Sequence, residues 1–443
     1  MAEVLRSVGL DVGTTSSQMI LSELTIENQA SQFSVPQFQI TQRRVLYKSP
    51  IHFTPLLRGK LVDGQRLRQM VMEEYEKAGI RREDVDTGAI IITGETSRKE
   101  NAATVLQTLS DLAGDFVVAT AGPDLESILA AKGAGAVEYS AQTGKTVLHM
   151  DIGGGTSNLA LIKEGKVLAT GCLNVGGRLV KLDDKGAITY ISPVLSHIFP
   201  QSIGSIPPRH ALEDLANQLV SALEMAAGLR PKTALLDALW TKEAGIPWEP
   251  PLQQPVFSFS GGVADCIDTQ HTHLAFGDIG PILGLAIRRS RLCQADYRLG
   301  SETIRATVIG AGCHSAQLSG STVFHRNVTF PLKNLPVVTK IPQLAAMDSP
   351  SVLSLPGIAA AHYPQITALA EEIVSTWPNS PVYIALEADM AKALGHALAL
   401  RLPPDKSILC IDRVQLTDGC YLDVGAPIAT ALPVVVKTLI LNR

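Results

Sequence analysis

The strongest constraint on the fold is a short pattern that occurs twice. It consists of an apolar strand ending in aspartate, a turn rich in glycine and hydroxyl residues, and a returning strand. The first copy is Gly9-Leu10-Asp11-Val12-Gly13-Thr14-Thr15-Ser16, and the second is Asp151-Ile152-Gly153-Gly154-Gly155-Thr156-Ser157. The strands predicted around the two turns are Ser7 to Val12, Gln18 to Leu24, Thr146 to Asp151 and Asn158 to Ile162. Both halves of the chain are therefore predicted to begin with the same hairpin.

The composition of the first turn is typical of phosphate binding. Glycine lets the backbone approach a ligand closely, and backbone N–H groups of the turn at Gly13, together with the hydroxyls of Thr14 and Thr15, can be placed where phosphate oxygens sit. Asp11 then faces the phosphates and requires a cation. For this motif taken alone, an ordinary Gly-Thr hairpin turn is the alternative.

The second turn strengthens this interpretation. Three consecutive glycines, Gly153 to Gly155, lose more conformational entropy on folding than a purely structural turn requires. The two turns together can grip opposite sides of a polyphosphate, with Asp11 and Asp151 bracketing a Mg²⁺ ion through its waters. The pair therefore predicts a site for a metal-bound polyphosphate.

A third glycine turn follows the strand predicted over Val256 to Ser260. Here Gly261 and Gly262 would let a flat base and its ribose lie against the backbone. Placed after the two phosphate turns, this motif predicts an adenosine site. A left-handed turn without a ligand is the alternative.

Thr93 and Glu95 follow a buried strand predicted over Ala89 to Thr93. In α/β sheets, the carboxyl ends of strands usually carry the groups that face ligands. We predict Thr93 near the metal and Glu95 as the group that orients an attacking water. A carboxylate that only stabilises the start of the next helix is the alternative.

Two predicted helices are rich in small residues. They contain Ala130-Ala131-Lys132-Gly133-Ala134-Gly135-Ala136 and Val308-Ile309-Gly310-Ala311-Gly312. Glycine and alanine at close spacing let two helix backbones touch, which suits a hinge crossing between two lobes. Close packing without a hinge is the alternative.

Composition excludes several classes of function. The chain has 443 residues, which favours two or three domains, and its net charge of −4 provides no basic field for nucleic acid. The six cysteines contain no Cys-x-x-Cys pair, so neither a zinc site nor a disulfide framework is expected. With no signal peptide or membrane span expected, we predict a soluble cytoplasmic protein without nucleic-acid or membrane partners.

The order of these motifs resembles the actin, heat-shock chaperone and sugar kinase superfamily. Over nearly the whole chain, longer stretches are similar to the family of reactivating factors of ethanolamine ammonia-lyase. These stretches are GLDVGTTSSQ, VLYKSPIHFTP, GAIIITGET, GDFVVATAGPDLES, DIGGGTSNLAL, CLNVGGRL, RATVIGAGCHSAQLSGST, LDVGAPI and PVVVKTL. Residues 183–208 and 247–255 match the family poorly.

The resemblance implies an α/β fold with two actin-like (ribonuclease H-like) ATPase lobes around a nucleotide cleft, plus an α/β C-terminal domain. We expect the first lobe at 1–170, the second lobe with the adenosine site at 171–329, and the C-terminal domain at 330–443. The resemblance also implies ATP and Mg²⁺ as cofactors. Its implied function is the ATP-dependent, chaperone-like release of damaged cobalamin from inactivated ethanolamine ammonia-lyase, so that fresh adenosylcobalamin can bind.

Carried onto this sequence, the resemblance gives nucleotide roles to both turns, with their aspartates, and to the third glycine pair. The predicted nucleotide-binding residues are Gly13, Thr14, Thr15, Gly153, Gly154, Gly155, Thr156, Gly261 and Gly262. With the residue analysis above, the predicted catalytic set is Asp11, Asp151 and Glu95, and the predicted metal set is Asp11, Asp151 and Thr93. The lyase is the expected partner, while cobalamin in transit, a homodimer and association with the ethanolamine microcompartment stay open.

Three other functions within the superfamily are alternatives. A small-molecule kinase would need a catalytic base beside a hydroxyl-bearing substrate, and no acidic residue outside the nucleotide motifs suggests one. An actin-like filament protein would need a self-complementary, open-ended contact. An electron-transferring activator of acyl-CoA dehydratases would need cysteines for an iron–sulfur cluster, and the cysteine spacing argues against it.

Overall fold

The fold is described from a computed structural model of the chain. The structure describes residues 3–13, 16–29, 38–57, 61–92, 105, 108–109, 123–241, 248–251, 254–272, 274–294, 296–300, 302–314, 316–320, 322–346, 350–376, 381–416, 420–427 and 431–438. The helices are α1 Gly64–Ala78, α2 Pro123–Gly133, α3 Ala136–Thr143, α4 Arg209–Ala226, α5 Ala234–Leu239, α6 Asp265–Asp268, α7 Gly280–Arg289, α8 Ala306–His314, α9 Tyr363–Thr376 and α10 Ala391–Ala399.

The strands form three larger sheets and two small two-stranded ones. They are β1 Glu3–Val12, β2 Ser16–Asn28, β3 Phe38–Lys48, β4 His52–Phe53, β5 Leu56–Leu57, β6 Leu61–Val62, β7 Thr87–Ile92, β8 Val147–Ile152, β9 Ser157–Lys163, β10 Lys166–Leu173, β11 Val180–Leu182, β12 Ile188–Ile191, β13 Val256–Ser260, β14 Tyr297–Leu299, β15 Ala316–Leu318, β16 Phe324–Arg326, β17 Leu332–Val338, β18 Val352–Leu355, β19 Val382–Leu386, β20 Ile408–Ile411, β21 Cys420–Val424 and β22 Pro433–Thr438.

The first two sheets repeat one topology. The first has the order β3-β2-β1-β7 and the second has the order β10-β9-β8-β13-β14. In each sheet, the first three strands along the chain pair antiparallel, and a later strand, β7 or β13, pairs parallel to the first; the first sheet also has β4 paired antiparallel to β2. Each sheet therefore opens with the predicted hairpin, and the predicted α/β fold with two similar lobes is confirmed.

The third sheet forms the α/β C-terminal part of the chain. Its order is β15-β22-β21-β17-β18-β19-β20-β16, with β17 to β20 running parallel to one another. Helices α9 and α10 cover a core that includes Ile373, Leu394 and Leu398. The strands of the second sheet begin at Val147 and those of the third at Ala316, while the domain boundaries at 170 and 329 stay predictions.

Helix α1 shows how local chemistry sets the bounds of an element. The side chain of Asp63 accepts a hydrogen bond from the N–H of Arg66, which satisfies one of the free donors at the helix start. Gly79 ends the helix in the left-handed conformation, with φ 68°. Leu67, Val71 and Tyr75 lie on its buried face, as their helical spacing in the sequence requires.

The small-residue helices α2 and α8 cross in direct backbone contact. A Cβ atom added to Gly133 would collide with the carbonyl oxygen of Ala306, and one added to Gly310 would collide with that of Leu129. Helix α2 packs on the second sheet and α8 packs on the first sheet. The predicted contact between these helices is therefore confirmed, and it joins the two sheets.

The first sheet is held equally closely against α8. A Cβ atom added to Gly9, on β1, would lie 2.6 Å from the carbonyl oxygen of Val308 and 2.7 Å from the amide nitrogen of Gly312. Close backbone packing thus continues from α2 through α8 to β1.

Within the described ranges, no helix has the length and apolar character needed to cross a bilayer.

We predict that Gly310→Ala destabilises the protein by about 1–3 kcal/mol, because the added methyl group overpacks a contact that is already backbone against backbone. Urea unfolding followed by circular dichroism measures the change. Gly64→Ala, in α1, is the matched control, since its Cβ atom would meet the nearest protein atom at an ordinary 3.5 Å. Equal stability of the two variants would contradict the close backbone contact between α2 and α8 at Gly310.

Candidate functional site

The two predicted phosphate turns close in the same way. The N–H of Gly13 donates to the carbonyl oxygen of Ser16 at 2.9 Å, and the N–H of Gly153 donates to that of Thr156, also at 2.9 Å. The described ends of the two turns therefore share the same closing hydrogen bond. Thr14 and Thr15 lie outside the described residues, so their nucleotide roles stay predictions.

Two of the three glycines in the second turn, Gly153 and Gly155, are not required by the protein's own packing. Gly153 and Gly155 do not have the positive φ that would require glycine. A Cβ atom added to Gly155 would meet no protein atom within 4 Å, and one added to Gly153 would meet only the carbonyl oxygen of Thr156, at 3.6 Å. Neither strain nor packing therefore explains these glycines. Close approach of a ligand to the backbone would explain them, and the predicted phosphate contact stays a prediction.

Asp151 ends β8 in a buried position, with 6% of its surface exposed. The hydroxyl of Ser260 donates to its Oδ1 atom, and the hydroxyl of Thr307 lies 3.4 Å from Oδ2. Burial raises the pKa of Asp151 to about 6, although these two hydrogen bonds oppose the shift. Both carboxylate oxygens are thus held in place, and the negative charge is destabilised unless a cation balances it.

The two aspartates have matching amide neighbours across their hairpins. Asp11 lies opposite Gln18, and Asp151 lies opposite Asn158. The Oε1 atom of Gln18 and the Oδ1 atom of Asn158 are buried and have no hydrogen-bond partner among the residues that the structure describes. A buried amide oxygen without a partner is costly, and carboxylate and amide oxygens are ligands that Mg²⁺ and its waters accept. These residues therefore fit the predicted cation.

Glu126, on α2, is a candidate that sequence reasoning missed. The side chain of Asn158 donates a hydrogen bond to its carboxyl group. Burial, followed by the negative charges of Asp151 and Asp11, raises the pKa of Glu126 well above its usual value. The fold thus brings a third carboxyl group into the field of the two predicted aspartates. In the sequence, an acidic residue in a first helical turn is explained by the helix dipole alone, which hides this role.

The carboxyl groups do not form a direct metal cage. Within the described ranges, no three His, Cys, Asp or Glu side chains converge to coordinate one ion. This arrangement is in keeping with a Mg²⁺ ion that keeps most of its waters and is held by carboxylates through them. Thr93 and Glu95 lie outside the described residues, and their predicted metal and catalytic roles stay predictions.

The third glycine turn packs against the end of β8. Gly261 has φ +87°, and an added Cβ atom would collide with the carbonyl oxygen of Ile152. That same oxygen accepts a hydrogen bond from the N–H of Val263 at 3.1 Å. Packing and backbone conformation are thus sufficient reasons for Gly261 to be glycine. At Gly262, an added Cβ atom would approach only Ile304, at 3.8 Å, and the adenosine role of the pair stays a prediction.

Comparison with known families gives a single assignment. The family model of the ethanolamine utilisation protein EutA matches residues 3–350 and 339–442. The chain belongs to the EutA family. The resemblance noted from the sequence is therefore confirmed over nearly its whole length.

Two curated relatives in this family are each named ethanolamine ammonia-lyase reactivase EutA. The protein from Salmonella typhimurium is 37% identical over 473 aligned positions, and the protein from Escherichia coli is 36% identical over 467; each alignment covers 98% of this chain and 98% of the relative. Among solved structures, EutJ from Carboxydothermus hydrogenoformans is 17% identical, with a TM-score of 0.35, over 69% of this chain and 89% of that one. At a TM-score this low, the similarity supports no conclusion about this EutA-family chain.

We predict that Asp151→Asn raises the free energy of unfolding at pH 8 by on the order of 1–3 kcal/mol. The folded state holds the Asp151 proton more tightly than the unfolded state, so this group's contribution to stability is present below pH 3.8 and is lost as the pH rises to about 6. The uncharged amide removes that loss. Urea unfolding from pH 4 to 8 measures the difference between the variant and the unchanged protein.

The matched control is Asp237→Asn, on the exposed side of α5, which should leave the pH dependence of unfolding unchanged. An Asp151→Asn variant that loses stability with pH as steeply as the unchanged protein would contradict the assigned burial of this charge.

Proposed function

We propose that the chain is an ATP-dependent reactivating factor that releases damaged cobalamin from inactivated ethanolamine ammonia-lyase, so that fresh adenosylcobalamin can bind. The names of its EutA-family relatives support the client enzyme. The observation that carries the ATPase part is the pair of glycine turns that follow Asp11 and Asp151, each aspartate lying opposite an amide oxygen that has no partner among the described residues. The two turns would hold the phosphates, and the Gly261-Gly262 turn would hold the adenosine.

Each group at the site has a part in hydrolysis. The backbone N–H groups of Gly154 and Gly155 would stabilise negative charge on phosphoryl oxygens, which is the main requirement of phosphoryl transfer. Asp11 and Asp151 would hold the waters of a Mg²⁺ ion, and the bound ion would supply neutralisation of the phosphate charge. This arrangement supports in-line attack by water on the terminal phosphoryl group.

Glu126 is the residue that we assign to accept the proton of the attacking water. Its pKa lies well above the usual value because it is partly buried near two other carboxylates. A general base is most effective when its pKa lies near the working pH, and the raised value moves Glu126 in that direction. Glu95 was predicted for the same step from sequence, and it remains a second candidate.

The α2–α8 crossing provides a route from the site to a movement of the lobes. Thr307, on α8, hydrogen-bonds Asp151 at the end of β8, while α8 itself packs on the first sheet. A change at Asp151 therefore acts directly on α8, the helix that joins the lobes. Coupling to the client requires that the nucleotide-bound and nucleotide-free forms differ in affinity for the lyase, because a ligand that binds both forms equally shifts nothing.

The proposal predicts recovery of an inactivated client. Ethanolamine ammonia-lyase inhibited with cyanocobalamin is incubated with this protein, Mg-ATP and adenosylcobalamin, and ammonia release is followed. We expect recovery with ATP and none with a non-hydrolysable analogue. ATPase activity without recovery would contradict the reactivation step and favour a kinase or a filament.

Sedimentation of the same mixture tests whether the protein forms a homodimer, whether it forms a complex with the lyase and whether cobalamin is transferred. Co-fractionation with microcompartment shells tests where the protein is located.

A second prediction concerns Glu126. We expect Glu126→Gln to bind ATP with nearly unchanged affinity but to lower kcat by about 10²–10⁴-fold, because the amide cannot accept a proton. Phosphate release and equilibrium binding of ATP separate the two effects. Glu138→Gln, on the exposed face of α3, is the control that should retain full turnover. Full turnover in Glu126→Gln would transfer the proposed role to Glu95.

A further inference from the structure

A chain of buried hydrogen bonds leads from the interior of the second sheet to Asp151. On β13, Ser258 lies 3.0 Å from the Nδ1 atom of His149, and Ser260 lies 2.9 Å from its Nε2 atom. The hydroxyl of Ser260 then reaches the Oδ1 atom of Asp151. His149 and Ser260 are fully buried, so water does not compete for these contacts.

The chemistry of the acceptor gives this chain a direction. An ionised carboxylate can only accept, so Ser260 donates its proton to Asp151. The oxygen of Ser260 then accepts a hydrogen bond from the Nε2–H of His149. A neutral imidazole carries one N–H, so its Nδ1 atom accepts from Ser258. The network thus assigns His149 the Nε2–H tautomer, with every donor pointing toward Asp151.

The position of this chain argues against a role in packing alone. β8 is the central strand of its sheet and β13 is its neighbour, and all the other β8 residues before Asp151 are apolar and buried. A buried polar network is stable only when every member is satisfied, and it limits the rearrangement of its members. Here the side chain at the end of the network is the carboxylate of the proposed nucleotide site. Its other oxygen is contacted by Thr307, which leaves the carboxylate little freedom to rotate.

We propose that His149 is a positioning residue, which holds Ser260 so that its hydroxyl fixes the Asp151 carboxylate for the metal-bound nucleotide. This inference rests on the proposed function of the Asp151 site. His149 touches neither nucleotide nor metal, and it acts only through Ser260. Groups one step removed from a metal ligand typically change affinity or activity by 10–100-fold when they are replaced.

The test compares two substitutions of one side chain. His149→Leu keeps an apolar side chain of similar size and removes both hydrogen bonds, whereas His149→Gln keeps an N–H donor that can reach Ser260. We expect His149→Leu to raise the Mg²⁺ concentration needed for half-maximal ATP turnover by roughly tenfold or more. His149→Gln should restore a value near that of the unchanged protein. The positioning role is overturned if the Mg²⁺ concentration for half-maximal turnover is unchanged in both variants, or if it is raised equally in both.

A measurement without turnover tests the same network. In protein labelled with ¹⁵N-histidine, the His149 signals are assigned by their loss in His149→Gln. The Nε2–H tautomer is expected, and the Nδ1–H tautomer would overturn the direction of the chain. Asp151→Asn is the control for a damaged site in the turnover assay. If it loses Mg²⁺-dependent turnover while His149→Leu does not, only this inference fails. If the unchanged protein neither binds nor hydrolyses Mg-ATP, the proposed function fails with it.

Discussion

The backbone contact between α2 and α8 is the constraint on which the rest of the structure depends. Gly133 and Gly310 leave no room for a side chain, and each of the two helices packs on a different sheet. Because the sheets are joined there, the charges of Asp11 and Asp151, which precede the two hairpin turns, act on the same carboxyl group, that of Glu126. A larger residue at the crossing would separate the helices and, with them, the two halves of the site.

Carboxylate and amide oxygens at the site lie in unfavourable electrostatic environments, which a bound cation would stabilise. Burial raises the pKa of Asp151, and burial together with two nearby carboxylates raises that of Glu126. Two amide oxygens, on Gln18 and Asn158, are buried and have no partner among the described residues. Such groups lower the stability of the protein without ligand, which is a common consequence of building a binding site. The hydrogen bonds of Ser260 and Thr307 offset part of this effect at Asp151.

Local signals predicted much of the fold and part of the site. Both hairpins follow from strand alternation and turn glycines, and α1 follows from Asp63, its apolar spacing and Gly79, since each of these signals acts within a few residues. The close helix crossing was visible in the small residues themselves. The start of the third sheet at Ala316 was not, because β15 is three residues long and pairs with β22, more than a hundred positions later. Gly261 likewise has a packing reason that depends on Ile152, a distant residue in the chain.

The sequence by itself determined the family, the two-lobed α/β class and the two aspartate–glycine turns, because these depend on local pattern and on similarity along the chain. Only the tertiary structure decided which side chains meet at the turns. Glu126 became a candidate when α2 was placed beside Asp151 and Asp11, and His149 became one when β13 aligned Ser258 and Ser260 with β8. Charge coupling and hydrogen bonds act through space over a few ångströms, so no spacing along the chain could have shown them.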